Sequence, residues 1–178
     1  MVGAVFFDRD GVLNELVERP NGEKTAPWNL DEFKPIPGAT AAIELVKDLG
    51  YKAFCVTNQP DVDDGKLPQY HLNIMMQYIM DQGLNDALVA YERGSAWYKP
   101  NNGMLETLIK ENKINRDISY MIGDTWKDIV AGHKSKLNTI YIGKNYKPQE
   151  KYNNIHPDYI VGSVLEAACL IEELHKDD

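Results

Sequence analysis

The stretch Val5-Phe6-Phe7-Asp8-Arg9-Asp10-Gly11-Val12-Leu13-Asn14 decides how this chain folds. Its continuous apolar start has the composition of a strand buried on both faces of a parallel sheet. The run stops at two carboxylates one residue apart, and a glycine follows. Ligands of parallel α/β sheets gather beyond the carboxyl ends of the strands, where Asp8 would stand. Residues two apart in an extended segment point the same way, so Asp8 and Asp10 can converge on one volume. Two carboxylates in one site repel unless a proton or cation intervenes, and a hard oxygen site suits Mg²⁺. Alone, the stretch is equally compatible with a strand-ending turn carrying solvated aspartates.

Outward from it, short apolar runs alternate with helical periodicities, the pattern of a parallel sheet covered by helices. Strands are predicted at Ala4 to Asp8, Lys52 to Thr57, Ala87 to Tyr91, Tyr120 to Gly123 and Thr139 to Ile142. Helical spacing joins Ala42, Leu45, Val46 and Leu49 after Pro37-Gly38, with Gly50 closing that helix. It also joins Leu72, Met75, Met76, Ile79 and Met80, a methionine stripe read as core. Further helices are marked by Met104, Leu105, Leu108 and Ile109, by Trp126, Ile129 and Val130, and by Val164, Ala167, Ala168 and Ile171. Pro20 to Pro37 reads as a long polar loop near the aspartates, either functional or a solvated connection with a short hairpin.

At 178 residues the chain suits one well-buried domain, expected over 1–178. Its net charge of -8 argues against a protein built to grip nucleic acid, so an anionic substrate needs local positive groups. Two cysteines, Cys55 and Cys169, read as small buried hydrophobes of a reducing compartment. With no signal-like or membrane-spanning segment, the expectation is a cytoplasmic protein, a monomer that engages neither nucleic acid nor membrane.

Three more strand ends finish in polar residues. Thr57 and Asn58 can donate to phosphate oxygens without adding charge, although a Thr-Asn pair also caps helices. Asp124, in Gly123-Asp124-Thr125-Trp126-Lys127-Asp128, can bind the same cation as Asp8 or cap a helix. Asp128, one helical turn on, is placed to orient a neighbour. Lys99-Pro100 supplies a cation.

The order carboxylate pair, Thr-Asn, Lys, Gly-Asp-x-x-x-Asp resembles the phosphatases of the haloacid dehalogenase (HAD) superfamily over nearly the whole chain. Asp8-Arg9-Asp10-Gly11-Val12-Leu13-Asn14, Thr57-Asn58-Gln59 and Lys99-Pro100-Asn101-Asn102-Gly103-Met104 are similar to the cap-less branch containing heptose-bisphosphate and histidinol-phosphate phosphatases. The resemblance implies an α/β, Rossmann-like three-layer sandwich with a central parallel sheet and no large cap domain. It also implies an aspartyl-phosphate mechanism, with Asp8 the nucleophile and Asp10 the acid/base. Asp8, the Asp10 backbone carbonyl and Asp124 would hold Mg²⁺, while Thr57, Asn58 and Lys99 would bind the phosphoryl group and Asp128 would position Lys99. The implied substrate is a small phosphorylated metabolite: heptose phosphate of surface-polysaccharide precursor synthesis first, histidinol phosphate second. The rivals are a polynucleotide end phosphatase, disfavoured by the acidic composition, and a non-catalytic phospho-accepting or binding domain, disfavoured by Asp10.

Two departures stand out. The stretch Val89 to Pro100 has neither cysteine nor histidine where the branch often holds zinc, so no structural zinc is expected. Tyr98 stands where the branch has an arginine that grips substrate, with Arg93 as a substitute or a plain surface residue. The acidic run Asp61-Val62-Asp63-Asp64 reads as a solvated loop, or as a mouth that disfavours highly anionic substrates.

Overall fold

A computed structural model describes residues 1–176. In chain order it contains β1 (Ala4–Phe7), β2 (Val17–Glu18), β3 (Lys24–Thr25), α1 (Ala39–Asp48), β4 (Lys52–Asn58), α2 (Pro60–Asp63) and α3 (Gln69–Asp81). The second half contains β5 (Asp86–Ala90), α4 (Gly103–Asn112), β6 (Tyr120–Gly123), α5 (Trp126–Lys134), β7 (Asn138–Ile142), β8 (Tyr159–Val161) and α6 (Val164–Lys176). Six strands form one parallel sheet in the order β5-β4-β1-β6-β7-β8. The five sequence-predicted strands are all present, within a residue or so at each end. The sixth, Tyr159–Val161, was too short and too exposed to show an apolar run.

Ala4, Val5, Phe6 and Phe7 are all buried because β1 lies at the centre of the sheet with helices on both faces. Val5 and Phe7 pack toward α1 and α6 with Ile43, Val46, Ala168 and Ile171. Ala4 and Phe6 pack on the opposite side with Leu105, Leu108 and Ala131 of α4 and α5, and Phe6 stacks on Phe54 at 5.3 Å. This is a three-layer α/β sandwich of Rossmann type. Among the described residues no inserted cap domain interrupts it, and no helix is long and apolar enough to cross a membrane.

Chain order turns around β1: β4 lies on one side and β6 on the other. That switch point opens a crevice at the carboxyl ends of the three strands, bringing Asp8, Asn58 and Asp124 together from positions far apart in sequence.

The long polar segment at Pro20 to Pro37 carries the short hairpin that was one of its two expected readings, with β2 paired to β3 across its start. Arg19 braces it: the guanidinium lies 3.5 Å from the Trp28 ring, binds both Glu32 oxygens at 2.7 and 2.9 Å, and reaches Thr25 Oγ1 at 2.8 Å. An expectation fails at Cys169, which is exposed on α6 beside the buried Ala167 and Ala168, whereas Cys55 is buried as expected.

Phe54→Ala should remove the stacked pair beneath the site and lower the free energy of unfolding by about 3–5 kcal/mol, as measured by denaturant titration.

Candidate active site

Asp8 directly follows β1, and its backbone N–H donates to Ile122 O at 3.0 Å, which fixes the chain where it leaves the sheet. Lys99 Nζ is the hub of the site. It donates to Asp8 Oδ1 at 2.8 Å, Asp128 Oδ1 at 2.7 Å and Val56 O at 2.8 Å, and the residue is only 3% exposed. Burial alone would lower the lysine pKa, but Asp128 and Asp8 outweigh it and hold the ammonium protonated.

Asp128 sits at the third position of α5. Its Oδ2 accepts from the Thr125 backbone N–H at 3.1 Å and from Thr125 Oγ1 at 2.9 Å, a helix-capping interaction. Thr125, rather than Asp124, is therefore the N-cap. One carboxylate both starts the helix and grips the lysine. A Cβ at Gly123 would lie 2.1 Å from Asp128 Cβ, so only glycine fits at the end of β6.

Asp124 is free of capping duty. Its Oδ1 is buried without a hydrogen-bond partner among the described residues, and oxygens of Asp8, Asp124 and Asp128 lie within 4.8 Å of one another. Gly11, at φ 81°, makes this possible: a Cβ there would meet Asp124 Oδ2 at 2.0 Å. Burial, then the charges of Asp128 and Asp10, pushes the Asp8 pKa up to about 7 against the pull of Lys99. Asp124 is raised well above the ordinary carboxylate range by burial and by Asp8 and Asp128.

The carboxylate cluster thus includes Asp128 and not the side chain of Asp10. Asp10 Oδ1 instead accepts from Arg9 Nη2 at 2.7 Å, Arg9 Nε at 3.1 Å and Asn14 Nδ2 at 3.0 Å, and Oδ2 accepts from Gln59 Nε2 at 2.7 Å. Arg9 is 0% exposed, with Nη1 3.7 Å from Met75 Sδ and 4.0 Å from Met76 Sδ. The methionine stripe of α3 is core, as its composition predicted, but part of its packing is around a guanidinium. Sequence reasoning assigned no role to Arg9, Asn14 or Gln59. Two-residue periodicity linking Thr57 to Gln59 at the strand end was the available signal for Gln59; arginine is so seldom fully buried that none pointed to Arg9.

Thr57 is fully buried, accepts from Gln59 Nε2 at 2.9 Å, and donates its hydroxyl hydrogen to no partner among the described residues. Asn58 turns its carboxamide onto the Lys99 backbone, donating to Lys99 O at 2.9 Å and accepting from Lys99 N at 3.0 Å. It therefore braces the lysine loop and also lines a cavity of about 340 Å³ over the site, together with Asp8, Asp10, Lys99, Asp124 and Asp128. Lys24 and Thr25 of the hairpin form part of its wall. Arg93 is a surface residue, bound to both Asp64 oxygens at 2.7 and 2.6 Å. Asp61 does face the cavity, with Oδ2 accepting from Trp28 Nε1 at 3.0 Å.

The HAD-hydrolase-like family model matches residues 96–167. The chain is 28% identical to D-glycero-beta-D-manno-heptose-1,7-bisphosphate 7-phosphatase of Pasteurella multocida (strain Pm70), covering 98% of this chain and 99% of the relative. It is also 28% identical to the Haemophilus influenzae protein of that name, covering 97% and 98%. Among solved structures, D,D-heptose 1,7-bisphosphate phosphatase from B. bronchiseptica, complexed with magnesium and phosphate, superposes with a TM-score of 0.78. The two share 17% identity over 99% of this chain and 100% of the other, a likeness of fold. In strand order, motif order and matched region, this chain is similar to the phosphatases of the HAD-like hydrolases.

Proposed function

We propose that the protein is a Mg²⁺-dependent phosphomonoesterase acting on a heptose bisphosphate, with Asp8 as nucleophile and Asp10 as general acid and base. The observation that carries this reading is the convergence of Asp8, Lys99 and Asp124 on one crevice, with Asp10 anchored two residues beyond the nucleophile. Whole-length relatives named as heptose-1,7-bisphosphate 7-phosphatases support the substrate.

The residues suit a divalent cation. Among the described residues the ion pairs of Asp8, Asp10 and Asp128 go to Lys99 and Arg9, so four carboxyl groups stand against two cations, and Asp124 Oδ1 lacks a partner. All available donors are oxygens, as Mg²⁺ requires. Asp8, Asp124 and the Asp10 backbone carbonyl would hold it. When bound, Mg²⁺ neutralises charge on the phosphoryl oxygens and separates the nucleophile's charge from the substrate's.

Lys99 fixes the Asp8 carboxylate through Oδ1 so that it meets phosphorus in line with the leaving oxygen. Lys99, its three hydrogens taken by Asp8, Asp128 and Val56 O, offsets by its charge the charge that spreads over the equatorial oxygens, the Thr57 hydroxyl donates to them, and Asn58 keeps the Lys99 loop in register. Asp10 hands a proton to the leaving alkoxide as the P–O bond breaks and aspartyl-phosphate forms. It then takes a proton from the water that attacks this intermediate, releasing phosphate and regenerating Asp8. Arg9, Asn14 and Gln59 hold Asp10 at that post. The reading assigns these steps to a single domain over 1–178, acting as a cytoplasmic monomer. Histidinol phosphate is the second substrate, because Asp61 at the cavity wall can pair with an amine.

In an assay of phosphate release from heptose 1,7-bisphosphate, histidinol phosphate and nucleotides, wild type with Mg²⁺ should favour the heptose compound. EDTA should abolish turnover, and Asp8→Asn should lower it at least about a thousandfold. Undiminished activity in Asp8→Asn would remove Asp8 as nucleophile.

Proton linkage gives a test that does not depend on turnover. With its pKa pushed up to about 7, against about 4 when unfolded, Asp8 holds a proton in the folded protein that unfolding releases. Its contribution to metal-free stability is therefore lost as pH rises from about 4 to 7. Mg²⁺ competes with that proton, so the rise in Tm on adding Mg²⁺ should be larger at pH 8 than at pH 5 by scanning calorimetry. An equal rise at both would argue against this carboxylate cluster as the metal site.

A further inference from the structure

A second cavity, of about 310 Å³, opens beside the catalytic one and shares Tyr98, Lys99 and Lys127 with it. Its remaining wall includes Trp126, Lys151 and Tyr152, and no acidic side chain lines it. In a chain with a net charge of -8 this is an unusual concentration of positive charge. Lys99 is committed to Asp8 and Asp128, but Lys127 and Lys151 have no carboxylate partner among the described residues. Each ammonium lies over aromatic rings instead. Lys127 Nζ is 5.6 Å from the Tyr98 centroid and 6.0 Å from that of Trp126, and Lys151 Nζ is 4.7 Å from Tyr152. Trp126 and Tyr152 stack at 5.5 Å, so the platform beneath the lysines is itself packed. Cation–π contact orients an ammonium without cancelling its charge, which leaves both lysines able to bind an anion.

We propose that this second cavity holds the non-reacting phosphate of a bisphosphate substrate through Lys127 and Lys151, while the other phosphate meets Asp8. The proposal rests on the phosphatase reading above and adds to it the residues that select the substrate. Lys127 reaches both cavities from the first turn of α5, directly before Asp128. The same short helix therefore presents a carboxylate to the catalytic lysine and a cation to the substrate's far end. Tyr98 removes one cation from the segment before Lys99 and Arg93 is neutralised by Asp64, so the positive charge at this end comes from α5 and from the turn holding Lys151. The aromatic rings offer apolar faces to the carbon-bound hydrogens of a sugar.

The test compares heptose 1,7-bisphosphate with heptose 7-phosphate, which lacks the second phosphate, in wild type, Lys151→Met and Lys127→Met/Lys151→Met. The ratio of kcat/KM for the bisphosphate over the monophosphate should fall about tenfold in the double variant, mostly through KM, and part of that in Lys151→Met alone. The same pair of ligands should be titrated calorimetrically against Asp8→Asn with and without the lysine substitutions. There the affinity advantage of the bisphosphate should shrink by a similar factor. Ratios unchanged within about twofold in both experiments would overturn the subsite. If wild type releases phosphate from neither compound, the phosphatase reading fails, and the calorimetric comparison alone decides whether the second cavity binds phosphate.

Discussion

A single ammonium, that of Lys99, is the constraint on which the active-site end of the sheet depends. It is buried among Asp8, Asp128 and the Val56 carbonyl, and so touches the loop after β1, the end of β4 and the first turn of α5 at once. A charge that deep is tolerated only because two carboxylates answer it, and removing either side would leave the other stranded in a low-dielectric interior. The same geometry commits Asp128 to structure, since its second oxygen caps α5. Asp124 is thereby left as the carboxylate with an unmet oxygen. Division of labour between two aspartates four residues apart follows from which of them the lysine reaches.

A second buried cation, Arg9, does for Asp10 what Lys99 does for Asp8. Three donors converge on one oxygen of Asp10, and Gln59 on the other. The aspartate is thus held by its neighbours in sequence and by the end of β4. In the acid/base role proposed for it, Asp10 gains from being fixed, because reorientation between the two half-reactions would slow both. Arg9 is screened from water by Met75 and Met76, which adapt to the guanidinium with polarisable sulfurs.

Substrate choice lies outside this core. The catalytic cavity is walled by the β2–β3 hairpin, by Asp61 and by Tyr98, and Lys127 leads from it into the neighbouring basic cavity. The hairpin owes its order to Arg19, which ties Trp28, Glu32 and Thr25 into one unit. Elements that wall the cavity can therefore change without touching the carboxylates at its floor.

The alternation of apolar runs with helical periodicity was enough to place five of the six sheet strands, because a strand buried on both faces cannot hide its composition. Strand ends occupied by Asp8, Thr57-Asn58 and Gly123-Asp124 were legible for a related reason: polar side chains directly after such runs have little to do in a core. β8 escaped notice because a short, half-exposed strand carries no periodic signal, and the hairpin stood only as one of two readings of a polar loop. Sequence by itself determined the α/β class, the carboxylate pair and the order of the polar strand ends. Only the tertiary structure decided that Arg9 is buried on Asp10, and that Lys127 and Lys151 share one cavity. Those outcomes depend on which long-range neighbours each charge meets when β4 and β6 flank β1, and local sequence does not encode such distances.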